Sequence, residues 1–206
     1  MSTLLPTKSN LIKLKKTIAL SKQGQKLLEK KKYILENEKE KYISQKKELE
    51  ETFHKQYEKA FLALQNANVD MGINKVNMIS HTIEIDNQLD IKYKTIMGVE
   101  IPLISYTSSS NPDLTFGLLR TTISIDEAIV EFQNVKEMMV DLARLEITIS
   151  RLDSAIQKVQ KRSNSLKDII IPNYEKDEKR IQDILEERDR EEFVRMKMIK
   201  KNSFHQ

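Results

Sequence analysis

The stretch from Met138 to Ile170, "MMVDLARLEITISRLDSAIQKVQKRSNSLKDII", decides the fold. Met138, Leu142, Leu145, Ile149, Leu152, Ile156, Val159, Ser163, Leu166 and Ile170 follow one another in alternating steps of four and three, and only Ser163 interrupts the apolar set. A repeat of ~3.5 residues sustained this long keeps one stripe facing a partner helix as the two supercoil, whereas a helix lying on a globular core follows the 3.6-residue period instead. The stretch predicts one arm of a coiled coil.

The first half supplies the other arm. After Pro6, Ser9 or Asn10 suits an N-cap, and Leu11, Leu14 and Ile18 open a helical pattern that continues through Leu28, Leu35, Tyr42, Leu49, Phe53, Ala60 and Leu64 to about Ala67. Such a helix would be on the order of 90 Å long at ~1.5 Å per residue. Its interior row includes Lys32, Lys39 and Lys46, so it needs a companion. Antiparallel pairing sets Leu28 opposite Ile170, Leu35 opposite Ser163, Tyr42 opposite Ile156, Leu49 opposite Ile149, Phe53 opposite Leu145 and Ala60 opposite Met138. Charge favours the same direction: nine lysines and one acid, Glu29, lie between Lys8 and Lys32, and the pairing brings the start of this stretch beside "EERDREE", Glu186 to Glu192. Exposed ion pairs are worth only ~0 to 1 kcal/mol each, so they select orientation more than they hold helices together.

Composition agrees with long helices. Lys and Arg number 35 against 31 Asp and Glu, 32% of residues are charged, aromatics are 6%, and there are four glycines and four prolines. That is a helical or coiled-coil profile with few places to turn the chain. The absence of cysteine removes disulfides and thiolate metal sites and suits a reducing cytosol. No apolar run approaches the ~20 residues of a membrane span, and the N-terminus lacks a secretory h-region, so direct membrane insertion is not expected. The lysine-rich stretch has no interleaved aromatics and the net charge is only +4, which argues against a nucleic-acid partner.

Between the arms the chemistry changes. From about Asn68 to Ser124, Thr, Ser, Ile and Val rise, Gly72, Gly98 and Gly117 appear, and "SSSNPD", Ser108 to Asp113, reads as a surface loop; helix is not expected here. "DIKYKTI" and "VEIPLISY" flank Met97-Gly98 as the strands of a hairpin, with Pro102 confined to an edge. "SIDE", Ser124 to Glu127, has the spacing of a capping box for the second long helix. Pro172 cannot donate its backbone N–H and opposes the Asp168 carbonyl, so that helix must kink or pause there. The expected fold is mainly α: a long antiparallel two-helix coiled coil from residues 1–67 and 125–206, with a small β-hairpin region in 68–124.

Three strings in this order resemble the D-subunit family of prokaryotic V-type (A-type) ATP synthases. "PTKSNLIKLKKTIALSKQGQKLLEKK" near the start is similar to the family's opening. "IMGVEIP", with Ile96, Met97, Gly98, Val99, Ile101 and Pro102, is similar to its most recognisable motif. Asn164, Leu166, Ile171 and Pro172, followed by "LEERDREEFVRMKMIKK", are similar to its last stretch; Thr95, Ser165 and Lys167 depart from the pattern. The resemblance implies a non-catalytic rotor shaft whose two ends stand inside the ring of catalytic A and B subunits. It also implies contact with the small F subunit and with the funnel subunit on the membrane ring, at the cytoplasmic face of the membrane, and a hairpin tied to F contacts and to control of hydrolysis. The coupled ion would be H⁺ or Na⁺.

The residues themselves offer no catalytic set. His54 flanks the seam beside Phe53 and Tyr57, His81 and His205 have no ligands at metal spacing, the carboxylates of "EERDREE" are interleaved with arginines, and no Gly-rich phosphate loop is present. No cofactor is expected. The lysine-interrupted row from Lys32 to Lys46 reads as a place of torsional compliance, and Pro172 as either a structural kink or a bend that offsets one end of the shaft. Composition alone would equally permit a static coiled-coil scaffold or secretion-stalk protein.

Overall fold

The computed structural model describes residues 5–82, 89–106 and 121–203. Its elements are α1 (Lys8–Met71), α2 (Ile73–Ser80), β1 (Leu89–Ile96), β2 (Val99–Tyr106), α3 (Ile123–Ser165), a π-helical turn (Leu166–Ile170) and α4 (Ile171–Ser203). The fold is mainly α, with long N- and C-terminal helices and a two-stranded antiparallel sheet between them.

Local chemistry sets the ends of these elements, in places against the sequence reading. The N-cap of α1 is Thr7, not Ser9 or Asn10: its Oγ1 accepts from the Asn10 N–H at 3.3 Å, and its carbonyl accepts the first intrahelical bond from Leu11 at 3.0 Å. Pro6 fixes the approach so that the next hydroxyl, Thr7, reaches the orphan amide first. The helix ends at Met71 because Gly72 takes φ 85°, a left-handed value only glycine adopts without strain. It then restarts as α2, so residues 73–80 are helical where the composition predicts none. Val76 and Ile79, three apart, are half-buried, and no residue of this short helix is fully buried.

The capping box at Ser124 does not form either. Helix α3 begins one residue earlier, the Ile125 N–H bonds the Thr122 carbonyl at 3.1 Å, and the Ser124 hydroxyl donates to the Asp70 carboxylate. An ionised acceptor on the neighbouring helix outcompetes the serine's own backbone. The expected loop at Ser108 to Asp113 and His205 lie outside the described residues.

At Pro172 the helix pauses instead of stopping. Leu166–Ile170 widens into a π-turn, and the Ile171 N–H bonds the Leu166 carbonyl five residues back. Widening by one residue moves the carbonyl that the proline ring would strike and keeps the chain helical on both sides.

The described chain separates into two compact units: Met1–Ile34 with Ile156–Gln206, and Leu35–Ala155. Within the first, Leu14, Ile18 and Ile181 form a buried cluster against which Leu11, Tyr174 and Leu185 pack. Within the second, Leu35 and Leu152 are fully buried, and Ala60, Ala67, Ala128, Val135 and Leu145 share the core.

Candidate functional site

In the second unit Leu35, Lys39, Tyr42, Lys46, Leu49, Phe53, Gln56 and Ala60 of α1 all escape full exposure and form a row in alternating steps of four and three, with Glu36, Glu38, Ile43 and Glu50 half-buried beside it. Two lysines therefore stand in the row of α1 that turns inward. An ammonium there needs a carboxylate, and α3 supplies one to each: Lys39 Nζ lies 2.5 Å from Asp153 Oδ1, and Lys46 Nζ lies 2.8 Å from Glu146 Oε1. Glu50, one turn on from Lys46, adds a second acid at 3.3 Å. The hydrogen bonds to Glu146 first, and then to Glu50, hold the Lys46 ammonium above its ordinary pKa of 10.5. Both ion-paired lysines are more than half shielded, so the methylene stems continue the apolar row while the charged heads meet acid.

These pairs correct the register. Lys39 and Lys46 are one heptad apart on α1, and Asp153 and Glu146 are one heptad apart on α3 in the opposite direction. The helices are antiparallel as expected, but Lys39 pairs with Asp153 and Lys46 with Glu146, six residues from Val159 and Leu152, the partners that the sequence pairing sets opposite them. The nearest alignment that keeps both apolar rows in phase is a slip of one heptad, which would carry Leu49 from Ile149 to Leu142 and Phe53 from Leu145 to Met138. Apolar rows with the same period match at either register; the carboxylates break the tie.

The first unit is stitched similarly. Lys8 meets Asp189 at 3.4 Å, Lys15 meets Glu178 at 3.8 Å and Lys22 meets Glu175 at 2.7 Å, so the basic stretch does face acids. Only the first of these partners lies in "EERDREE". Arg188 of that string donates to the Pro6 carbonyl at 3.3 Å instead.

None of the fourteen residues assigned to the seam is exposed. Leu35, Leu145, Leu152, Ile156 and Val159 are buried, and Leu28, Tyr42, Leu49, Phe53, Met138, Leu142, Ile149, Leu166 and Ile170 are half-buried. Ile125, Ala128, Val135, Thr148 and Ile181 are buried as well and lie outside the set that the sequence pattern marks. Thr148 is 1% exposed and satisfies its hydroxyl on the Arg144 carbonyl at 2.8 Å, so a threonine beside Ile149 takes the deeper position.

The hairpin has a two-residue turn, Met97 at φ 50° and Gly98 at φ 79°, which is the positive-φ pair that matches strand twist. It fixes the register from Ile96 opposite Val99 to Leu89 opposite Tyr106. Ile101 and Pro102 are buried and Ile96 and Val99 half-buried, while Leu89, Ile91, Tyr93, Met97 and Leu103 stay exposed. Cations from α3 hold the sheet: Arg151 donates to the Glu100 carbonyl at 3.0 Å and lies 5.4 Å from the Tyr93 ring centre, and Lys136 sits 4.8 Å from that of Tyr106. Among the described residues the sheet has two strands, so Pro102 lies on an edge strand as expected.

Phe53, Tyr57 and Phe61 stack in succession along α1, with His54 edge-on to Phe53. His54 is exposed, as is His81. Among the described residues, no three His, Asp or Glu side chains gather as metal ligands, and no helix is long and apolar enough to cross a membrane.

A sequence profile for the D subunit of ATP synthase matches residues 10–201. The chain belongs to the ATP synthase D-subunit family. It is 34% identical over 195 residues to the V-type ATP synthase D subunit of Thermotoga neapolitana, covering 95% of this chain and 96% of that one. The A-type ATP synthase D subunit of Pyrococcus abyssi is 34% identical over 197 residues, covering 95% and 92%. That of Methanopyrus kandleri is 32% identical over 196 residues, covering 95% and 84%. Family membership therefore spans both long helices and the hairpin, not one motif.

Proposed function

We propose that this chain is the central-stalk rotor component of a V-type (A-type) ATP synthase, a non-catalytic shaft that couples ATP synthesis or hydrolysis in a ring of A and B subunits to H⁺ or Na⁺ translocation. The observation that carries the reading is the match to D-subunit relatives over nearly the whole chain. The helix pair suits the role: a shaft must resist twist, and side chains interlocked between antiparallel helices transmit it. In this reading the fourteen seam residues carry torque. The row from Lys32 to Lys46, the expected place of compliance, carries ion pairs at Lys39 and Lys46 beside the fully buried Leu35. The hairpin string from Ile96 to Pro102 serves contact with the F subunit, the end of the shaft away from the ring seats on the funnel subunit, and the π-turn before Pro172 offsets the neighbouring helix. The assembly would stand peripherally at the cytoplasmic face of the membrane.

Co-purification with A, B and F subunits, followed by reconstitution without this chain, tests the reading. A rotor shaft recovers all three, and ATP hydrolysis by the ring becomes uncoupled from ion movement when it is omitted. Failure to recover A and B, or full coupling in its absence, would overturn the proposal.

A further inference from the structure

We propose that Lys39–Asp153 and Lys46–Glu146 are the register lock of the helix pair, selecting one heptad alignment from neighbouring alignments that the apolar rows permit about equally. The lock does not depend on the rotor role. Alternating steps of four and three on both helices mean that a slip by seven residues puts apolar side chains opposite apolar side chains again, as the sequence pairing of Leu49 with Ile149 and Phe53 with Leu145 illustrates. The lysines do not repeat so freely. If α3 slips one way, Lys46 reaches Asp153 but Lys39 reaches Gln160; if it slips the other way, Lys39 reaches Glu146 but Lys46 reaches Met139. Each direction leaves one ammonium in the inward row without its acid across the pair. Only the observed alignment gives both lysines a carboxylate from α3, at 2.5 and 2.8 Å, Glu50 being on the same helix as Lys46 in every alignment. Charged residues at interior positions commonly fix register in this way, at a cost in apolar burial.

The chain has no cysteine, so two introduced thiols report register without background. Leu49→Cys with Leu142→Cys reads the observed alignment, and Leu49→Cys with Ile149→Cys reads the slipped one; a heptad displaces the thiols by ~10 Å, beyond the ~7 Å Cα separation a disulfide tolerates. The test moves the acids, not the lysines. Glu146→Gln with Gln160→Glu places carboxylates one heptad along α3, and the crosslink is expected to pass from the first reporter to the second. Persistence of the first reporter's crosslink in a variant of unchanged helicity would overturn the proposal. Should that variant lose its helicity, the exchange Lys39→Glu, Lys46→Glu, Glu146→Lys and Asp153→Lys decides the matter. It keeps both pairs in place with their signs reversed and must crosslink at the first reporter, while Lys39→Glu with Lys46→Glu alone must not. Failure of the exchange to crosslink, or success of the half-exchange, overturns the lock.

Discussion

The hairpin and the helix seam are both antiparallel pairings, but one is aligned by its neighbours in sequence and the other by residues about a hundred positions away. In the hairpin, two positive-φ residues, Met97 and Gly98, place Ile96 against Val99, and every later pair follows. In the helix pair no turn does this. Lys46 and Glu146 are 100 positions apart, and Lys39 and Asp153 are 114 apart. A strand that slips by one residue turns its buried side chains to solvent, so the hairpin has a built-in penalty for error. A coiled-coil arm that slips by seven residues keeps the same face inward and escapes that penalty.

The largest effect should come from the part of the seam that no local feature supports. Leu152 is fully buried, and Leu152→Ala is expected to cost about 2 to 5 kcal/mol. Thermal melting followed by circular dichroism would show it. An unchanged melting temperature would mean the seam near Leu152 contributes little, and the contrast with the hairpin would lose its basis.

A smaller and more confined effect is expected at the turn. Gly98→Ala forces a Cβ into φ 79°, at a cost of roughly 1 to 2 kcal/mol. Amide exchange along Leu89–Ile96 and Val99–Tyr106 should accelerate, while the helical melting curve stays where it was. Loss of helicity in this variant would show that the hairpin supports the helix pair and is not merely docked on α3 through Arg151 and Lys136.

That division explains what can be read from the sequence. Hairpin bounds, turn residues and the inward row of α3 are legible because each depends on residues within a few positions of one another. The heptad register is not, since Leu49 fits Ile149 and Leu142 alike. The signal that finds it is nonetheless present: Lys39 and Lys46 at heptad spacing, Asp153 and Glu146 at the same spacing. Two caps depart from the sequence reading for a different reason. At Ser124 a carboxylate brought in by the fold, Asp70, takes the hydroxyl. At the start of α1, Thr7 lies nearer to Pro6 than Ser9 or Asn10 does. The Thr7 cap is itself a local feature, so Thr7→Ala should cost about 1 kcal/mol. The loss should appear as faster exchange at the Asn10 and Leu11 amides, with the rest of α1 unaffected; faster exchange along the whole helix would contradict a purely local role.

The smallest effect is expected from pH, and it separates local from distant pairing most directly. Lys41 has its pKa raised through Glu38 on its own helix, and Lys46 through Glu146 on the other, with Glu50 second. A lysine whose folded pKa is raised stabilises the fold fully below its ordinary 10.5, and the contribution is lost as pH rises through the folded value. Stability should therefore decline above that point for both. The two contributions differ in the reference state. Glu38 stays three residues from Lys41 when the chain unfolds and can still meet it in residual helix, whereas Glu146 is lost to Lys46 altogether. Lys46→Gln should therefore flatten the alkaline decline in denaturant midpoint more than Lys41→Gln does. Equal flattening by the two substitutions would show that Lys46 draws its stabilisation from Glu50 on its own helix, and that the cross-helix contact with Glu146 adds nothing to the folded state at alkaline pH.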